Sequence, residues 1–210
     1  LPAMSRRQRQ MCIRDSPRIK SGAVNSDLSL MSHPKFVEGA RCLQDAGLSL
    51  DFWIYHTQLS EMEKIARTLP ELSIILNHIG GPIHLGEYEG KQALTHREWR
   101  KAMMRLSRLP NIKVKLGGLG MKVNGAKFHL NQNPPNSSQL ADIWKSWIYE
   151  TIDMFGVERC MFESNFPVDK GSCSYGSLWN AFKIISENMS DNEKNKLFYE
   201  NAAKTYKIKL

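Results

Sequence analysis

The amino-acid sequence predicts a parallel α/β fold and, within that class, part of a (β/α)8 barrel. Three observations carry this. Strand-like and helix-like stretches alternate along the chain in the order α-β-α-β-α-β-α-β-α-α, which argues for parallel strands joined by helical crossovers. Short apolar stretches such as Ser73–Asn77 have the character of strands covered on both faces. Each strand ends in a candidate functional group: His56, Asn77-His78, Gly117-Gly118 and Ser164-Asn165. Reactive groups at the C-terminal ends of several strands are the habit of barrels. A doubly wound open sheet is the other architecture in the class. Its dinucleotide-binding form is disfavoured, because no G-x-G-x-x-G follows a strand and Gly117-Gly118-Leu119-Gly120 lacks the spacing.

The elements follow in order. Ser32-His33-Pro34 opens the first helix, with proline tolerated in its first turn. Phe36, Val37, Ala40 and Leu43 form its apolar stripe, and Gly47 stops it. Leu48–Tyr55 reads as a strand in which Leu48, Leu50, Phe52 and Ile54 alternate with Ser49, Asp51, Trp53 and Tyr55. A second helix carries Leu59, Met62, Ile65, Ala66 and Leu69 and ends at Pro70. After the strand Ser73–Asn77, the pattern Thr95-x-x-Glu98 is a capping box for a helix with Trp99, Ala102, Met103, Leu106 and Leu109 inward. Ile112–Leu116 is the next strand, and 124–138 is a polar loop. Leu140, Ile143, Trp144, Trp147, Ile148, Ile152 and Phe155 form the broad face of a helix closed by Gly156. Arg159–Glu163 is a fourth strand. Two helices finish the chain, the second opened by the capping box Ser190-x-x-Glu193.

Composition narrows the function classes. The chain has 210 residues, 41% hydrophobic and 24% charged, which is an ordinary globular balance. The net charge of +8 is concentrated at the front: residues 1–20 hold six basic residues and one acid. The remaining 190 residues hold 23 basic and 20 acidic residues, a net of +3, which gives little reason to expect nucleic acid. No apolar run is long enough to span a membrane. Four cysteines without a C-x-x-C pair are too sparse for a disulfide scaffold, so a reducing, cytoplasmic setting is the expectation. Residues 1–18 show no period, and the string MCIRDS resembles read-through of a sequencing adaptor. The expected organisation is a disordered or artefactual segment over 1–18 and an incomplete barrel domain over 19–210.

Four segments carry a resemblance. Asp51-Phe-Trp-Ile-Tyr-His-Thr-Gln58, Ile75-Leu-Asn-His-Ile-Gly-Gly-Pro82, Val114-Lys-Leu-Gly-Gly-Leu-Gly-Met121 and Arg159-Cys-Met-Phe-Glu-Ser-Asn-Phe-Pro-Val-Asp169 resemble consecutive strand ends of the amidohydrolase-related family. This branch of (β/α)8 hydrolases includes lactonases acting on fuconolactone and pyrone dicarboxylate. The terminal Asn201-Ala-Ala-Lys-Thr-Tyr206 is similar to the family's closing helix. The resemblance implies attack of water on a lactone or similar carbonyl of a small-molecule substrate. It also implies a divalent metal, zinc first, with a metal-free lactonase mechanism as the other option. The family's first strand supplies two metal ligands from an Asp-x-His-x-His motif, and no His-x-His occurs in these 210 residues. The expectation is therefore the C-terminal half to two-thirds of a barrel, inactive on its own.

Six residues carry the expected chemistry. His78 matches the strand-end histidine that binds metal or polarises a carbonyl, and an imidazole suits both roles. Gly80 and Gly81 after it are expected to let a substrate approach the backbone. His56 follows the preceding strand and is expected to bind metal or substrate. Asn165 stands where the family commonly has Asp, and a carboxamide cannot accept a proton at neutral pH. Glu163 or Asp169 is then the candidate base. Lys115, on a buried strand face, needs a counter-charge, either a barrel carboxylate or an anionic substrate. The alternative function, motivated by Asn165, is a barrel relative that binds a small ligand without turning it over.

Overall fold

The computed structural model describes residues 12–13 and 30–209. The segment expected to be disordered or artefactual lies outside the described residues, apart from Cys12–Ile13. Those two residues form a short strand, β1, beside Asp51 and Phe52. The other strands are β2 (Ser49–Phe52), β3 (Ser73–Leu76), β4 (Ile112–Leu116) and β5 (Cys160–Phe162). All are parallel and lie in sequence order β1-β2-β3-β4-β5. Sequential order is that of a barrel wall; a doubly wound sheet reverses direction partway across.

The helices are α1 (Pro34–Asp45), α2 (Leu59–Thr68), α3 (Gln92–Leu106), α4 (Ser137–Phe155), α5 (Tyr175–Ile185), α6 (Asp191–Asn195) and α7 (Asn201–Tyr206), with a π turn at Lys196–Glu200. None of the described helices is long and apolar enough to cross a membrane.

The strands have two unlike faces. In β4, buried Ile112, Val114 and Leu116 alternate with half-buried Lys113 and Lys115. The apolar set joins Leu50, Phe52, Ile74 and Leu76 in a core shared with Leu59, Met62, Trp99, Met103, Trp144 and Phe182 of the helices. Each such side chain contributes about 1.5–3 kcal/mol by leaving water. The other face carries Asp51, Lys115 and, one step past β5, Glu163. Long-range side-chain bonds lock the layers. Asn111 Nδ2 reaches the carbonyls of Ala66 (3.0 Å) and Leu69 (3.1 Å). Asn201 Nδ2 ties α7 to Val157 (2.7 Å) and Cys160 (2.8 Å).

Three expectations shift. The ladder of β2 stops at Phe52, because beyond it the chain turns and His56 N–H donates to the Gly81 carbonyl (3.1 Å). Helix α3 begins at Gln92, so Thr95 is not its cap. The Thr95 hydroxyl is buried and donates to the Ile83 carbonyl (2.8 Å), a long-range partner that outcompetes the local box. Ile143, expected on the apolar face of α4, is 52% exposed. The box at Ser190 forms as expected, with Glu193 N–H donating to Ser190 Oγ.

Candidate active site

The end of β3 is where the backbone leaves ordinary conformations. His78 has φ +54° and Ile79 φ +47°, followed by Gly80 at +77° and Gly81 at +53°. A β-branched residue in the left-handed region is a marked outlier, and such residues cost about 1–3 kcal/mol each. The surroundings hold it there. Ile79 is fully buried, and its carbonyl accepts from Trp99 Nε1 (2.7 Å). Both glycines sit where packing is tight. A Cβ at Gly81 would strike the Ile54 carbonyl, and one at Gly80 would press on Leu59 and Met103. The turn delivers the His78 ring against the edge of Trp53, centroids 4.6 Å apart, and over Gly118, where any Cβ would collide with it.

Glu163 sits one residue past β5, its N–H donating to the Leu116 carbonyl (3.3 Å). Its Oε1 accepts from the His78 backbone N–H (3.0 Å) and from the ring nitrogen Nδ1 of His78. Burial pushes the Glu163 carboxyl up, but His78 and Lys115 outweigh it and hold the group below the usual carboxylate range. Glu163 is thus ionised at neutral pH. Gly117 is required here, since a Cβ would run into the Glu163 backbone.

Asn165 also sits at positive φ, +51°. Its Nδ2 donates to Asp169 Oδ1 (2.9 Å), and its carbonyl accepts from the Asp169 N–H (3.2 Å). Asp169 is 1% exposed. Burial raises its carboxyl to about 6, against the opposing pull of Asn165, His78 and the Gly120 amide. The second oxygen, Oδ2, is buried without a hydrogen bond of ordinary geometry. A carboxylate in that state is ready to take a proton.

Below this pair, Lys115 Nζ meets Asp51 Oδ2 at 2.6 Å, and the Tyr206 hydroxyl donates to the same oxygen (2.9 Å). Of the two counter-charges open to Lys115, the structure shows the barrel carboxylate. Asp51 and Tyr206 are members of this cluster that sequence reasoning does not single out. An acid on the same strand face as the lysine was the available signal. His56 stands apart. Its Nδ1 accepts from the Ile83 N–H (3.2 Å), its ring packs on Tyr88, and Glu98 lies 3.7 Å from Nε2. Burial lowers its pKa to about 4. The structure therefore gathers His78, Glu163, Asn165 and Asp169, with Lys115 beneath, and shows no contact from His56 to any of them. Cys160 is fully buried, with a thiol pushed up to about 12, and is inert.

Among the described residues no three His, Cys, Asp or Glu side chains converge to hold a metal ion. His78 offers Nδ1 to Glu163, and position 165 is a carboxamide. The described residues do not by themselves fit zinc, and no step below passes through a metal.

A wall of sequentially ordered parallel strands, with its reactive groups beyond their C-terminal ends, defines a (β/α)8-barrel protein. A family model described as amidohydrolase matches residues 21–208, and the chain belongs to that family. It is 38% identical over 179 residues to the uncharacterised protein y4mH of Sinorhizobium fredii, covering 83% of this chain and 52% of that one. It is 25% identical over 174 residues to the L-fucono-1,5-lactonase of Burkholderia multivorans, covering 82% of this chain and 56% of the lactonase. A solved amidohydrolase from Burkholderia multivorans, with bound HEPES, superimposes with a TM-score of 0.74 at 24% identity, over 85% of this chain and 60% of that one. A second crystal form of that protein, with bound zinc, gives 0.73 at 23% identity, over 85% and 59%. These likenesses show the fold. The chain spans a little over half the length of the curated relatives it matches.

Proposed function

We propose that the whole protein hydrolyses a lactone or similar small cyclic ester by attack of water on its carbonyl. The observation that carries this reading is the contact between the ends of β3 and β5, with a second pair beside it in the segment after β5. Glu163 grips His78, and Asn165 grips Asp169, with His78 and Asn165 both held on left-handed backbone. The lactonase relative supplies the substrate class.

The roles follow from the geometry. Glu163 fixes the His78 ring through Nδ1, and in the doubly protonated ring paired with that carboxylate Nε2 also donates, to the carbonyl oxygen, and polarises it. Asp169, ionised above about pH 6, takes a proton from water through Oδ2 as that water's oxygen bonds to the carbonyl carbon. The carbonyl electron pair moves to oxygen. The intermediate collapses with breakage of the ring C–O bond, and the departing oxygen takes the proton back from Asp169. The products are the two ends of a hydroxy acid, and atoms and charge balance. Asn165 orients Asp169. It cannot be the base, and Asp169 four residues on supplies the carboxylate that position 165 lacks.

The test is His78→Ala in the whole protein, assayed by hydrolysis of a panel of 1,5-lactones. The expected loss in kcat/KM is at least about a hundredfold, with the circular dichroism spectrum retained. Unchanged turnover overturns the reading. A wild-type protein that binds lactones and hydrolyses none favours the ligand-binding alternative.

A further inference from the structure

At the opposite ends of the strands from His78 lies a cleft of about 220 Å³. Ser49 and Ser73, the first residues of β2 and β3, line it together with Lys113 of β4 and the residues Lys204–Lys207 that close α7. Its charge is unbalanced. Lys113 is half-buried, and burial together with the neighbouring Lys204 pushes its pKa down, with no carboxylate acting against them. None of the ion pairs among the described residues involves Lys113 or Lys204, although one carboxylate, Glu71, also lines the cleft. Lys207 is engaged otherwise, with Nζ donating to the Gly47 carbonyl (3.1 Å).

A second observation is independent of charge. Thr205, 8% exposed, lines the same cleft, and its hydroxyl oxygen is buried without a hydrogen-bond partner. A buried hydroxyl left unpaired costs about 1–3 kcal/mol, and the two ammonium groups lining one cleft repel. One occupant relieves both: an anion that accepts hydrogen bonds. Lysines act as point charges on tetrahedral oxyanions, whereas planar carboxylates are matched by arginine forks, and no arginine lines this cleft.

We infer that the cleft beneath β2, β3 and β4 binds a small oxyanion of the phosphate class, held by Lys113 and Lys204 and by the Thr205 hydroxyl. The site lies away from the reacting groups, at the barrel end associated with stability rather than chemistry. Its occupant steadies the fold and is not turned over.

The experiment titrates the whole protein with inorganic phosphate by calorimetry, with chloride adjusted to hold ionic strength constant. A second arm uses glycerol 3-phosphate. Saturable binding is expected, with a rise in Tm that tracks occupancy. Lys113→Met should weaken it at least about tenfold, Thr205→Val about three- to tenfold, and Lys113→Arg should retain it. Lactone hydrolysis should be unchanged in all three, which shows that they are folded. Tighter binding of glycerol 3-phosphate identifies a phosphomonoester as the occupant; equal or weaker binding identifies free phosphate. Absence of saturable binding to either probe, or a Lys113→Met variant that binds like the wild type, overturns the inference.

Discussion

Two histidines follow adjacent strands of this protein and have opposite fates. His56 turns out of β2 into a buried corner beside Tyr88 and Glu98, where it accepts one backbone N–H and burial outweighs the carboxylate, so it loses most of its tendency to charge. His78 turns out of β3 on left-handed backbone and lands on an ionised carboxylate 85 residues further along the chain. The strand-end position is therefore no more than an opportunity. What makes an imidazole useful is a charged partner that the next strands bring to it. Gly118 packs against the His78 ring, and its replacement would displace that ring; His56 is held by the Ile83 N–H, Tyr88 and Glu98 instead.

The comparison can be broken most forcefully at Asp169, which only the His78 side possesses. Asp169→Asn should cost about 10²–10⁴ in kcat/KM and abolish the acid limb near pH 6 in the pH–rate profile. Its effect on stability has the other sign. Burial pushes the folded carboxyl up to about 6 from its usual 3.8, so the fold favours the protonated form. That contribution is present at low pH and is lost as pH rises through about 6. At pH 7 the ionised group is a liability, and Asn should gain as much as about 3 kcal/mol in denaturant unfolding. A variant both inactive and less stable would sink the assignment.

A smaller effect is expected at Gly118. Gly118→Ala puts a methyl group into the His78 ring and demands φ +69° of an alanine. A displacement of this order should lower kcat about a hundredfold. Normal kcat would mean that the ring position does not matter.

His56 should move stability alone. Its folded pKa, about 4, lies below the ordinary 6.5, so between those values the unfolded chain binds the extra proton. The His56 contribution is complete above pH 6.5 and disappears as pH falls toward 4, by as much as about 3 kcal/mol. His56→Gln should flatten that part of the unfolding profile and change kcat less than about threefold. A large drop in kcat would put His56 back in the active site.

Much of this is legible in the sequence, for identifiable reasons. β4 reads correctly to the residue, because Pro110-Asn111 and Gly117-Gly118 bracket an uninterrupted strand signal. His78, Glu163, Asn165 and Asp169 stand out because each lies at or just beyond a strand end. Their pairing is not legible, since the bonds cross between strands and no local pattern encodes them. The Thr95 box misleads because a satisfied local motif says nothing of the Ile83 carbonyl waiting elsewhere. The left-handed turn at Ile79 is hidden by its own side chain, which is among the least suited to it. Trp99, reaching across from α3 to the Ile79 carbonyl, and Glu163, accepting the His78 N–H, help to hold it.

The phenol of Tyr206 reaches a long way back along the chain. It belongs to the last helical turn, yet its proton lands on Asp51 in the middle of the barrel wall, and from there the charges run upward through Lys115 to Glu163. Helix α7 is therefore a keystone: a change at Tyr206 acts on the charges that steer the imidazole at the far rim.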